Sequence, residues 1–291
     1  MKTSLKNLGI FLFPALALIF TFLVIPILVS FYMSFHEFGV MSVIDWRNAR
    51  FIGLDNYKRI IFMDSDFHQA LKNTLFVLAI AMPVTIGLSL FLAVLINSKM
   101  TKFKSFFRVG FYIPAITNTV AVALVWKWIL NGDYGILNYF LNFLGIEGPQ
   151  WLIDPDYAIY TIIFLVVWKA LGPNVIIFIA GLQSIPETVN EAAEIDGANR
   201  IQKFFHITMP LLSPTILYIS LMILIGYLQL FDEPFMLTKG GPLNSTISIV
   251  MHIYNEGFRF FNFGYASALS FILFFGIFTF SLIRIKTIKE G

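Results

Sequence analysis

The residues that could do chemistry are few, and most of them argue against bond-making. The four histidines, His36, His68, His206 and His252, show neither a His-x-x-x-His pairing nor an H-E-x-x-H run, so the spacing of a zinc peptidase is missing. No glycine precedes a lysine, which excludes a G-K-[ST] phosphate loop and ATP hydrolysis by that route. G-x-S-x-G is absent. There is no cysteine, hence no disulfide, thiolate nucleophile or Cys-zinc site. Two features remain. One is an acidic group, Glu187, Glu191, Glu194 and Asp196. The other is Lys169, alone in a long apolar stretch. A cation inside a membrane span costs about 2.5–3.5 kcal/mol on insertion scales. Lys169 is therefore expected to face a cavity or a partner, or to snorkel to the outer interface.

The acidic group sits on a short helix expected over 187–196. Pro186 pre-sets φ for a helix start and Glu187 suits the positive N-terminal end. Gly197 can adopt the left-handed conformation that ends a helix. Val189, Ala192 and Ala193 share one face, and the two alanines let another surface approach the backbone closely. Glu187, Glu191 and Glu194 rim that face with negative charge. Helices that lie on membranes are typically basic with bulky apolar anchors. An acidic helix with small residues suits docking into a protein groove instead.

The elements that must carry these residues follow from composition. The 291 residues are 58% hydrophobic and only 13% charged, and Phe alone occurs 33 times. A soluble domain has about 25% charged residues, so both disorder and a water-facing globular enzyme are excluded. The stretches 7–36, 73–98, 109–126, 157–186, 204–231 and 260–283 contain no Asp, Glu, Lys or Arg apart from Lys169. About 20 apolar residues in a helix cross the hydrocarbon layer, and a helix satisfies its own backbone there. Six transmembrane helices are expected, near 9–35, 71–96, 107–130, 158–181, 209–232 and 261–283, with no acidic residue near mid-membrane. The first run is too long for a signal peptide, and Ala15-Leu16-Ala17 comes too early for cleavage, so that helix is expected to be retained.

Lys2, Lys6, Lys99, Lys102, Lys104, Arg108, Arg200, Lys203, Arg284, Lys286 and Lys289 fall on one side of that topology. They outnumber Arg47, Arg50, Lys58, Arg59, Lys239 and Arg259 on the other. The excess marks the cytoplasmic side and puts both termini inside. It also accounts for the net charge of +3 without a nucleic-acid partner. The outer loops 36–70, 131–157 and 233–260 could form a small cap. The inner loop 182–208 is the only sizeable cytoplasmic feature. No internal repeat or low-complexity linker is visible.

Longer motifs now bear on identity. Glu191-Ala192-Ala193-x-x-Asp196-Gly197-Ala198, followed by Ile207-x-x-Pro210, resembles the EAA signature of ABC-importer permeases. Gly53-Leu-Asp-Asn-Tyr57, Asn73-Thr74, Phe111-Tyr-Ile-Pro114, Trp126-Lys-Trp, Trp151-Leu, Leu182-Gln183-x-Ile-Pro186, Phe231-Asp232, Leu237-Thr238-x-Gly240-Gly241-Pro242 and Gly264-Tyr265-x-x-Ala268 resemble the carbohydrate-uptake branch that holds the maltose and multiple-sugar permeases. The resemblance runs from about residue 10 to 285. It departs from the enteric maltose permease by lacking extra N-terminal helices and a large external domain.

The resemblance implies an all-α, multi-pass protein of the bacterial cytoplasmic (inner) membrane with the type I ABC importer fold. Residues 1–69 would be a first helix and external segment, and 70–285 the permease core with coupling helix 187–196. The chain would bind no cofactor itself; ATP and Mg would belong to a partner ATPase dimer. The other implied partners are a homologous second permease subunit, an extracellular or periplasmic sugar-binding protein and membrane lipid. Glu187, Glu191, Ala192, Ala193, Asp196 and Gly197 would couple to the ATPase. Asn174, Tyr227, Gln229 and Asp232 correspond to sugar-path positions, with bridging between helices as the alternative role. A glycerol-phosphate permease, which would want Lys or Arg in the path, and an ion-coupled secondary transporter remain as alternative functions.

Overall fold

The computed structural model describes residues 5–98 and 101–289. Lys2 and Lys99, two of the cations used to orient the chain, lie outside the described residues. Among the described residues, five helices are long and apolar enough to cross a membrane: Phe11–Ser34, Ser65–Asn97, Pro155–Gln183, Ser213–Leu237 and Phe263–Lys286.

The sixth expected span, 107–130, needs correction. It is two helices, Lys104–Ile116 and Thr119–Ile129, meeting at 97°. Thr117 and Asn118 leave helical geometry, with ψ of 140° and 126°. The Asn118 side chain accepts from the N–H groups of Val120 and, more weakly, Ala121, so it caps the second helix at the break. Pro114 lacks an N–H in the last turn of the first helix. Freedom from charge measures transfer into an apolar phase. It does not register a capping residue that restarts the backbone in a new direction.

The chain divides into two compact units, Met1–Phe67 with His252–Phe275, and His68–Met251 with Gly276–Gly291. In the first unit a two-stranded antiparallel ribbon pairs His36 with Phe51 and Glu37 with Arg50. It is tied to the end of the first span by buried Asn56, whose amide donates to the carbonyls of Ser34 and His36 at 2.9 and 3.2 Å. The Tyr57 hydroxyl adds a 2.8 Å bond to Ser34 Oγ. At the start of the last span, Gly264 donates its N–H to the Phe38 carbonyl at 2.9 Å. A Cβ on Gly264 would run into the carbonyls of His36 and Met33, so this close approach requires glycine. Between these elements lies Asp64. Its Oδ2 accepts from His252 Nε2 at 2.8 Å and from the Tyr265 hydroxyl at 2.5 Å, and its Oδ1 from the Phe67 N–H. Burial pushes this carboxyl up, but the Tyr265, Phe67 and His252 bonds prevail and hold it below its usual range.

The second unit is built around Pro155–Gln183. Ile162, Leu165, Val175 and Phe178 of that helix are buried with Val77, Ala81, Ile219 and Ile223. Buried Asn73 donates to the carbonyls of Asn244 and Ile247, and Thr74 accepts from the Ile249 N–H, so a long loop is held against the helix Ser65–Asn97. In the segment 131–157, expected to form a cap, Asn138 donates to the Gly132 carbonyl and accepts from Trp151 Nε1 at 2.6 Å.

Two outcomes follow. Gly264→Val should cost about 1–3 kcal/mol by overpacking, read as a lower melting temperature of the purified protein, whereas Gly276→Val, with no atom near the added Cβ, should cost far less. Because Asp64 titrates lower in the fold than in the unfolded chain, its contribution is present above the ordinary carboxylate value of 3.8 and is lost as the pH falls through the folded value. The stability gap between wild type and Asp64→Asn, measured by denaturation against pH, should be widest near neutrality and close on acidification.

Candidate functional site

The acidic helix is present as Glu187–Ile195, one residue shorter than expected, with Asp196 as its C-cap. Pro186 precedes it with the extended ψ of 136° that a helix entry needs. At the far end Gly197 has φ +77°. Its N–H donates to the Glu194 carbonyl at 3.1 Å, and Ala198 N–H to the Ala193 carbonyl at 2.9 Å. That pair of bonds is the Schellman stop, which satisfies carbonyls the helix leaves open. The next turn restarts through a capping box in which Asn199 and Gln202 exchange bonds.

The faces of this helix are sorted. Ala193 is buried against the body of the unit, and Val189 is half-buried beside it. Glu191, Ala192 and Asp196 are exposed, as is Glu187. The face that sequence placed toward a partner is therefore divided: Ala193 fastens the helix and Ala192 stays open. Glu194 is tied by Lys203 at 2.6 Å. That ion pair, unforeseen from sequence, fixes the helix to the turn that follows. Three large apolar residues stand exposed nearby: Ile195, Ile201 and Phe205. Ile201 and Phe205 line a groove of about 560 Å³ with Asn97, Leu182 and Arg200.

The expected path residues occupy different environments. Asn174 is buried and its amide donates to the Ala170 carbonyl at 2.7 Å. Tyr227 is buried with its hydroxyl 2.8 Å from Thr85 Oγ1. Gln229 caps the C-terminus of Ser213–Leu228 and is exposed, and Asp232 is exposed at the head of Asp232–Leu237. Gly172 lies against the Phe111 carbonyl so closely that no Cβ would fit, which seats the first arm of the bent pair on Pro155–Gln183.

Lys169 meets a partner. Its Nζ is 3.1 Å from Glu233 Oε1 and donates to Thr119 Oγ1 at 2.6 Å. Thr119 is the first residue after the break in the bent pair. Glu233 is buried and lies four residues from the end of the candidate span Ser213–Leu237, which ends five residues beyond the expected limit at 232. The signal was available. A largely buried cation calls for a counter-charge, and Asp232-Glu233 closes the apolar stretch 204–231.

Comparison with known proteins places these features in a wider group. Residues 85–288 match the family model described as binding-protein-dependent transport system inner membrane component. The chain is 34% identical to the lactose transport system permease protein LacF of Rhizobium radiobacter, covering 99% of this chain and 98% of that one. It is 36% identical to the multiple sugar-binding transport system permease protein MsmF of Streptococcus mutans, over 93% and 94%. It is 32% identical to the arabinooligosaccharides transport system permease protein AraP of Halalkalibacterium halodurans, over 90% and 85%. In fold it is similar to a chain of a bacterial ABC transporter involved in the import of the acidic polysaccharide alginate, with TM-score 0.86, 24% identity, and 98% and 96% coverage.

The ion pair sets an expected outcome. Lys169→Met leaves Glu233 buried without a counter-charge and should destabilise by about 3–5 kcal/mol. Replacing both, Lys169→Met with Glu233→Leu, removes the orphaned charge and should recover most of that loss. Thermal unfolding of the four variants of the cycle in detergent measures the coupling.

Proposed function

We infer the function from one premise: the chain belongs to the family of binding-protein-dependent transport system inner membrane components. Within it we propose the permease subunit of an ATP-driven sugar importer, with an oligosaccharide as the cargo. A separate binding protein delivers the sugar at the outer loops. This chain and a homologous second permease share the path, each forming one half. An ATPase dimer holding ATP and Mg moves the helix Glu187–Ile195, and that movement rocks the bundles between outward- and inward-facing states. The chain sits in the bacterial inner membrane with both termini cytoplasmic. The observation that carries the sugar reading is the near end-to-end similarity to relatives whose names specify lactose, multiple-sugar and arabinooligosaccharide transport.

The geometry supports the coupling role. Glu187–Ile195 has fixed ends, one fastened residue and an exposed carboxylate. A rigid helix transmits a push that a flexible loop would absorb. Exposed Ile195 next to the carboxylate at Glu191 offers an apolar anchor beside a charge, the combination that gives a docking surface both area and register. The glycerol-phosphate reading loses one of its two cations, because Lys169 is already bound to Glu233, and keeps only Lys127, exposed beside Thr238.

Glu191→Ala should lose about 2–5 kcal/mol of association if the carboxylate meets a basic ATPase residue in a partly desolvated contact. Co-purification of the ATPase and sugar-stimulated hydrolysis in liposomes should both fall, while capture of the loaded binding protein persists. Wild-type values for both would reduce Glu191 to a solvated surface charge. Gln229→Ala should lower uptake at limiting sugar and leave assembly intact. Unchanged uptake would remove Gln229 from the path.

A further inference from the structure

We propose that the segment 40–63, together with 258–261, is a collar seated in the headgroup layer of the bilayer, and that its partner is lipid rather than the sugar-binding protein. The segment joins two spans, Phe11–Ser34 and Ser65–Asn97, and 258–261 runs into a third, Phe263–Lys286. All three span ends belong to one compact unit.

The bonds already described keep the collar low. Asn56 and Tyr57 hold the helix Asp55–Phe62 to the last turn of the first span. Gly264 holds Phe38 to the first turn of the last span. Ring contacts carry the same restraint outward. Trp46 stacks at 5.9 Å on Tyr32, which lies inside the first span, and Phe51 touches the His36 ring at 5.2 Å. Trp46 is therefore level with the final turn of a membrane-spanning helix, the depth at which aromatic rings concentrate in membrane proteins. Phe62 and Met63 stand two or three residues before Ser65 and cannot rise far above the second span.

What this collar exposes is apolar. Ile44 is 77% exposed, Phe62 76% and Met63 79%, with Met41, Phe51 and Phe258 also open. A water-facing loop with so much contiguous apolar surface would be an aggregation hazard. Three of the cations interleaved with them are paired within the chain, and Arg259 is hydrogen-bonded to Asn255 Oδ1 at 3.3 Å. Arg47 pairs with Asp45, Arg50 with Glu37 and Lys58 with Asp55. The Arg59 guanidinium lies 4.5 Å over the Tyr265 ring. The arrangement suits the glycerol and upper acyl region of a bilayer of any headgroup charge. It does not suit a patch that needs anionic lipid.

The chain has no cysteine, so single sites can be labelled cleanly. Nitroxide would be placed at Ile44→Cys, Phe62→Cys and Phe258→Cys, and at Glu147→Cys, exposed in the segment 131–157, as a water-exposed reference, in the chain purified with its partner subunits and reconstituted in phosphatidylcholine liposomes. Molecular oxygen should broaden the three collar spectra while a water-soluble nickel chelate does not; the reference site should show the reverse. Adding phosphatidylglycerol to the liposomes should change neither result. Nickel reaching the collar sites as readily as residue 147 would overturn the proposal. So would protection from both agents, or immobilisation of the labels on adding loaded binding protein, since each means that water or protein covers the surface. The oxygen and nickel measurements need neither sugar nor ATP, so their failure leaves the importer reading untouched.

Discussion

A bilayer interior offers no hydrogen-bond partner, and this chain meets that condition at most of the described points where its backbone or side chains depart from a plain apolar helix, Ser281 Oγ in the last span and Arg108 Nε being buried without one. The break at Thr117 and Asn118 is the sharpest departure. It opens backbone donors at depth, and the Asn118 side chain takes up those of Val120 and Ala121. Asn174, Tyr227 and Lys169 each find an acceptor or donor within their own unit. A polar group left alone there would cost more than any single packing contact contributes. The polar side chains of the spans therefore form a set of internal ties, and those ties decide which helices can move together.

The ties are unevenly distributed. Lys169 connects three elements of the second unit: the helix Pro155–Gln183, the arm Asp232–Leu237 and the start of Thr119–Ile129. Gly172, less than one turn away, admits the backbone at Phe111. The bent pair is thus attached to one long helix on both sides of its break. Bending at the break is restricted, and the arms are expected to travel with Pro155–Gln183. By contrast, Glu187–Ile195 is fastened through Ala193 and, at Glu194, by an ion pair with Lys203, leaving the rest of its surface open. In a buried apolar setting an ion pair sets geometry at substantial desolvation cost. On an exposed loop it contributes about 0–1 kcal/mol and chiefly selects an orientation.

Those differences explain what the sequence could reveal. Long charge-free runs located five spans to within a few residues, because burial in hydrocarbon depends on composition over some twenty positions. The coupling helix was equally legible, since Pro186 and Gly197 act locally on backbone dihedrals. The bent pair was not, although Asn118 stood in plain view: a capping residue changes direction without changing hydropathy. Neither were the pairings of Lys169 with Glu233 and of Asp64 with His252 and Tyr265, which join residues far apart in the chain and depend on packing that no local pattern encodes. Tyr227 and Asn174 were identifiable as polar residues in spans. Whether such a residue faces a path or a neighbouring helix is a question of rotation about the helix axis, and a helix that is apolar all round carries no stripe from which to read it.

The two compact units distribute charge differently, and the difference bears on what each must meet. In the second unit Lys169 is matched inside the chain, and Glu191 and Asp196 of the acidic helix stand exposed. In the first unit three exposed cations are paired along the chain, Arg259 is hydrogen-bonded to Asn255, and several large apolar residues stand exposed beside them. A surface that keeps unmatched charge can steer and orient a protein partner through long-range attraction. One that cancels its charge and exposes aromatic and aliphatic groups gains only from leaving water, wherever an apolar phase is within reach. The exposed carboxylates of Glu187–Ile195 therefore suit a basic groove, whereas the apolar groups of 40–63 need only depth. On the two proposals made above, one partner is specified by chemistry and the other by position.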